Sequence, residues 1–152
     1  LGQGAGGESK GAGMTYTEIE AMQCPELQSH LAGLLFDWKY ATVEGSGYQR
    51  QAVGNVEQGT GVRTKCPDWT LTAAWLVVDQ LRLKGFRVNM AEVAPNVGEV
   101  VVVEYSAKHP KQDRVEVTCY YGLRHGMDSC AVALCRAALM AVTTFRLKEG
   151  SP

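Results

Sequence analysis

Between residues 86 and 121 apolar side chains recur at every second position, which is the period of a half-buried strand. Phe86, Val88 and Met90 alternate with Arg87, Asn89 and Ala91. Pro95, Asn96 and Gly98 supply turn chemistry. Val100 to Val103 is a continuous valine run that ends at Tyr105. A polar turn through Lys108, His109, Pro110, Lys111, Gln112 and Asp113 follows, and Val115, Val117, Cys119 and Tyr121 then alternate with Glu116, Thr118 and Tyr120. Connections this short favour antiparallel hairpins, because a parallel crossover takes a dozen residues or more. The valine run has apolar side chains for both faces of its strand, which predicts helices on both sides, with the second face only partly covered.

The flanking segments change to a helical period. In residues 14–36, Thr15 or Thr17 can cap a first turn in which Glu18 and Glu20 suit the positive helix end. Cys24-Pro25 breaks the pattern, and Pro25 suits the first turn of a new helix. Leu27, Leu31, Leu34 and Leu35 then form one stripe, with Trp38 and Tyr40 placed to staple its end. The clearest helix is expected over 68–84. Asp68 or Thr70 caps it, Leu71, Ala74, Trp75, Val78 and Leu81 share a face, and Gly85 stops it. Burial of Trp75 on that face predicts a cost of about 3–5 kcal/mol for Trp75→Ala. A last helix is expected over 129–145, capped by Asp128 or Ser129, with Val132, Cys135, Leu139 and Val142 on one face. The pattern as a whole predicts an α+β fold, a three-stranded antiparallel meander flanked by helices.

Two stretches carry no such period. Residues 41–67 are punctuated by Gly45, Gly47, Gly54, Gly59 and Gly61, and read as a long loop with short strands near Tyr48–Val53. Residues 1–13 are Gly-rich and read as a flexible remnant or linker ahead of a natural start at Met14. The domain is then expected to occupy 14–148.

Composition narrows the class. The chain has 152 residues, 45% hydrophobic and 20% charged, which suits one packed domain. A net charge of −1 supplies no global basic field to collect nucleic acid. The longest apolar run, in the last helix, is interrupted at Cys135-Arg136, so no membrane span is expected, and no secretory leader is apparent. Five cysteines without a repeated spacing read as small core hydrophobes of a protein in a reducing cytoplasm.

Candidate chemistry is sparse. Cys66 with His109 or His125 and Cys119 has no metal-ligand spacing, so no metal and no cofactor is expected. Cys119 or Cys130 with His125 is the one nucleophile–base pair to weigh, and no third orienting group is evident. Gly122-Leu-Arg-His-Gly126 lies between the last strand and the last helix. It is not a nucleotide fingerprint, but Arg124, His125 and Ser129 around a helix start form a candidate site for a small anion. Two basic clusters, Arg82, Lys84 and Arg87, and Lys108, Lys111 and Arg114, are the only nucleic-acid candidates. Tyr48, Arg50, Trp69 and Tyr120 lie outside the best core stripes and are candidates for contact with a protein partner. The two edges of a three-stranded sheet can also pair with a second copy or a partner.

Several segments together resemble the phage ABA sandwich domain family, small proteins encoded by phages and prophages. They are Met14-Thr-Tyr-Thr-Glu-Ile-Glu-Ala-Met22, a leucine helix ending in Trp38-Lys39-Tyr40, Pro67-Asp68-Trp69, Ala73-Ala74-Trp75-Leu76-Val77-Val78 with Leu81 and Gly85-Phe86, and the alanine-rich Ala131–Leu139. The likeness covers most of residues 14–142, apart from the 41–67 stretch. It implies an α/β/α layered sandwich and a viral or prophage origin, and it implies no reaction. The expected role is that of an accessory protein binding stoichiometrically in the bacterial cytoplasm, and phage origin associates it with action against a host defence component. Sequestration of a small anionic or nucleotide signal, and nucleic-acid binding, stand as alternatives.

Overall fold

The computed structural model describes residues 14–36, 40–46, 51–55, 64–65, 71–105, 110 and 113–150. Two short helices open it, α1 (Tyr16–Ala21) and α2 (Cys24–Leu34). Thr15 caps α1 through a reciprocal pair. Its hydroxyl accepts the Glu18 N–H at 3.1 Å, and its own N–H donates to Glu18 Oε1 at 2.9 Å. Pro25 occupies the first turn of α2, and Leu27, Leu31 and Leu35 are buried.

The stretch expected to be a loop with short strands near Tyr48–Val53 carries a sheet. β1 (Tyr40–Glu44), β2 (Gln51–Asn55) and β3 (Thr64–Lys65) form an antiparallel sheet in the order β1-β2-β3. That sheet packs on α2 through β1 and β2. Strands this short, one containing Gly54, have too few alternating positions to show in the sequence, and their stability comes from neighbours. The candidates Tyr48, Arg50 and Trp69, and the staple Trp38, lie outside the described residues.

Helix α3 (Leu71–Leu83) ends at Gly85, whose φ of 93° is the left-handed conformation glycine tolerates. It buries Val77, Val78 and Leu81. Trp75, expected on that face, is 51% exposed. At 100° per residue it lies about 115° from the centre of the buried face, on the flank. The expected cost of removing it is corrected accordingly.

The second sheet is the predicted meander. β4 (Phe86–Ala94), β5 (Val97–Glu104) and β6 (Glu116–Gly122) pair antiparallel in that order. Pro95 and Asn96 alone join β4 to β5, and Asn96 takes φ 62°. The register aligns Val88, Val102 and Val117 in one inner-face row and Met90, Val100 and Cys119 in the next. Glu104 closes the inner face. It is 1% exposed, and its carboxylate accepts the Val115 N–H at 3.1 Å.

Helix α4 (Cys130–Gly150) lies at the centre, in contact with β5, β6, α1, α2 and α3. Ser129 caps it, its hydroxyl accepting the Val132 N–H at 3.2 Å. Alanines 131, 133, 137, 138 and 141 let neighbours approach on several sides, and Leu134, Cys135, Leu139, Met140 and Val142 fill the core between them. By length and composition Cys130–Glu149 is apolar enough to cross a membrane, contrary to the expectation from the Cys135-Arg136 interruption, yet most of it is buried inside the protein. A helix apolar nearly all round belongs in an interior, and α4 has one built round it.

The α+β meander flanked by helices is thus as expected. Among the described residues the outer face of the meander has no helix on it. Arg87, Asn89, Ala91, Glu116, Thr118 and Tyr120 are exposed there. Val101 and Val103 are half-buried because cross-strand neighbours shield them, Arg87 and Glu116 flanking Val103, and Asn89 and Thr118 flanking Val101.

Candidate functional site: a cleft at the start of α4

The meander is covered unevenly. Phe86, at the start of β4, is buried with its ring edge-on to Phe145 at a centroid distance of 5.5 Å. From Asn89 onward β4 is exposed on both faces. The helical cover stops where α4 begins. Cys130 stands over Met90, with Sγ 3.7 Å from Sδ. Beyond that point a cleft of about 560 Å³ opens.

Glycines shape its floor. A Cβ on Gly98 would lie 2.2 Å from the Tyr121 ring, so the ring rests directly across the neighbouring strand's backbone. A Cβ on Gly122 would lie 2.4 Å from the Asn96 carbonyl oxygen. That close approach lets the Leu123 N–H donate to the same oxygen at 3.3 Å. The loop from β6 to α4 folds back through Met127 N–H to Arg124 O (3.1 Å) and Gly122 N–H to Asp128 O (3.1 Å). Gly126, at φ 85°, makes the turn.

The walls combine an apolar surface from Val97, Tyr121 and Met127 with a few polar groups. Arg124 and Ser129 line the cleft together, and Cys130 joins them. His125 does not. It is exposed on the loop, and no described contact joins it to Cys119 or Cys130. Glu92 and Asn96 face in from the hairpin. Arg124 brings a positive charge, and the first-turn amides of Cys130 and Ala131 have no helical acceptor of their own. Burial, then the neighbouring Cys130, pushes the Tyr121 hydroxyl up from its ordinary pKa. At neutral pH it is therefore a hydrogen-bond donor.

Two of the cysteines, Cys119 and Cys135, do not read as nucleophiles. Burial, with the charge of Glu20 added, pushes the Cys119 thiol up to about 11, and its Sγ lies 3.8 Å from Met140 Sδ. Burial raises Cys135 as well. A thiol must be ionised to attack, so both are inert at neutral pH. Among the described residues no group of three or more His, Cys, Asp or Glu side chains is placed to hold a metal ion. Two arginines of the first basic cluster are engaged. Arg82 pairs with Asp79 at 3.9 Å, and the Arg87 guanidinium lies 5.4 Å from the Tyr105 ring centroid.

Behind the loop, Arg136 ties three elements together. Its Nε donates to Asp128 Oδ2 at 2.7 Å, and its Nη1 donates to the carbonyls of Ile19 (2.9 Å) and Met22 (2.7 Å). The guanidinium thereby caps the C-terminal end of α1 while it holds the loop that walls the cleft. Tyr16 fastens the other end of α1, its hydroxyl 3.0 Å from that of Thr144.

Tyr121, Asn96, Glu92 and Met127 were not singled out from the sequence. One signal was present for Tyr121, since a glycine inside an otherwise regular strand marks close approach of another group. No family model, no curated protein and no solved structure matches the chain.

Proposed function

We propose that this protein acts by stoichiometric binding without turnover, and that the cleft at the start of α4 holds a small molecule with an apolar body and one anionic group. The observation that carries this reading is the pairing of Arg124 with the Ser129-capped helix start on the wall of a 560 Å³, largely apolar cleft. A cavity of that size suits a small organic ligand, and a single cation with unpaired amides suits one acidic group on it. In the phage or prophage setting implied by the sequence resemblance, such a protein would withdraw a signal molecule from a host defence component in the bacterial cytoplasm.

Calorimetry on the full chain tests this with cyclic nucleotides, ADP-ribose derivatives and aromatic carboxylates as probes. A saturable 1:1 heat with at least one of them is expected, and Arg124→Ala should weaken it roughly tenfold or more with the melting temperature unchanged. No heat from any probe, or full affinity in Arg124→Ala, overturns the reading.

A further inference from the structure

A second cavity lies on the far side of Met127, and its chemistry differs. It measures about 520 Å³ and is bordered by Thr118, Cys119 and Tyr120 of β6, by Asp128, and by Glu20 of α1. Three consecutive strand residues point alternately to opposite faces of a sheet. A cavity that touches all three runs along the strand's edge. Among the described residues β6 pairs with β5 alone, and no described strand lies beside its other edge.

The register shows which backbone groups meet this groove. The Glu104 N–H donates to Val115 O at 2.8 Å, so residue 115 turns its backbone toward β5, and with it 117, 119 and 121. Glu116, Thr118, Tyr120 and Gly122 therefore turn their N–H and C=O groups outward. The outward N–H of Gly122 is taken by Asp128 O, as the first rung of a ladder. No described hydrogen bond takes those of Glu116, Thr118 and Tyr120. Unpaired backbone beside a walled groove is what strand addition uses.

We infer that the β6 edge accepts an extended peptide segment from a partner protein, carrying a basic residue on its helix-facing side. The walls set the charge. Arg136 also borders the groove, but its side chain is only 14% exposed and saturated by Asp128 and the two α1 carbonyls. That pair cancels, which leaves Glu20 in the wall and Glu116 at the strand's start as carboxylates with no ion-pair partner among the described residues. Tyr120, 55% exposed, offers a ring on the opposite face. α1 and the 126–128 turn wall the groove, which admits one chain and obstructs the β6 edge of a second copy, since that edge carries the same walls. This site is independent of the anion cleft.

Random linear peptides displayed on cells and panned against the full chain test the inference. Enriched peptides should carry Lys or Arg in an alternating pattern. A synthetic enriched peptide should slow hydrogen exchange at the Thr118 and Tyr120 amides, and should lose binding when its backbone is N-methylated at alternate positions. Glu20→Lys should weaken it by roughly tenfold, with an unchanged circular dichroism melt showing that the variant is folded. No enrichment, enrichment of acidic peptides, or protection elsewhere in the chain overturns it. So does protection of 116–120 that appears without peptide as protein concentration rises, because that is self-pairing.

Discussion

The inner face of the meander has a closed end and an open end, built on the same three strands. At the closed end Phe86, Val88, Val102 and Val117 lie under helical cover, and Phe145 of α4 meets Phe86 edge-on. At the open end the corresponding row is Glu92, Gly98 and Tyr121, and nothing described covers it. The two ends differ in where α4 begins. Since the helix starts at Cys130, above Met90, the last rows of sheet extend past it. Stability is concentrated where helix and sheet overlap, and binding surface is left where one outruns the other.

The largest test of that contrast is at the closed end. Leu139→Ala, at a fully buried position on α4, should cost about 2–5 kcal/mol. It should lower the melting temperature by on the order of 10 °C. A loss under about 1 kcal/mol in denaturant melts would mean the core does not centre on α4. Next comes Arg136, which joins the closed core to the loop of the open end. Arg136→Ala leaves Asp128, 32% exposed, without its partner and uncaps α1, so about 2–3 kcal/mol should be lost. Arg136→Lys should recover little of it, because an ammonium cannot span three acceptors in one plane. Trp75→Ala should cost less, roughly 1–2 kcal/mol, since half the side chain is already in water. A cost as large as that of Leu139→Ala would restore Trp75 to the core.

The smallest effect is one of pH. Burial lowers the pKa of His30 on α2 below its ordinary value near 6.5. The unfolded chain then binds a proton more readily than the folded one. His30 therefore leaves stability intact above about pH 6.5 and reduces it as pH falls from there toward the lowered folded value. His30→Gln should flatten the melting temperature over that interval, and an unchanged slope would assign the acid sensitivity to another group.

Much of the fold was legible. The alternation from Phe86 to Tyr121 announces the meander, Gly85 and Pro95-Asn96 announce its stops and turn, and Thr15, Pro25 and Ser129 announce helix starts. Each of these is a local constraint, carried by residues next to one another in the chain. Part of the site was legible for the same reason, since Arg124 and Ser129 stand beside the predicted start of α4. The missing part, Tyr121 and Asn96 with Glu92 and Met127, comes together only when β4, β5 and the 122–129 loop are folded onto one another.

By itself, then, the order of side chains determined the strands of the meander, the helices around it, and that an arginine would stand near a helix start. Tertiary structure alone decided that no described helix covers the meander's outer face, that Trp75 lies on a flank, that residues 40–65 hold a second sheet, and that α4 stops short of the sheet's end. The physical reason is range. Periodicity and capping act over a few residues, whereas which face is covered, and how far, depends on contacts between segments far apart in the chain, such as Arg136 with the carbonyls of Ile19 and Met22, 117 and 114 residues away.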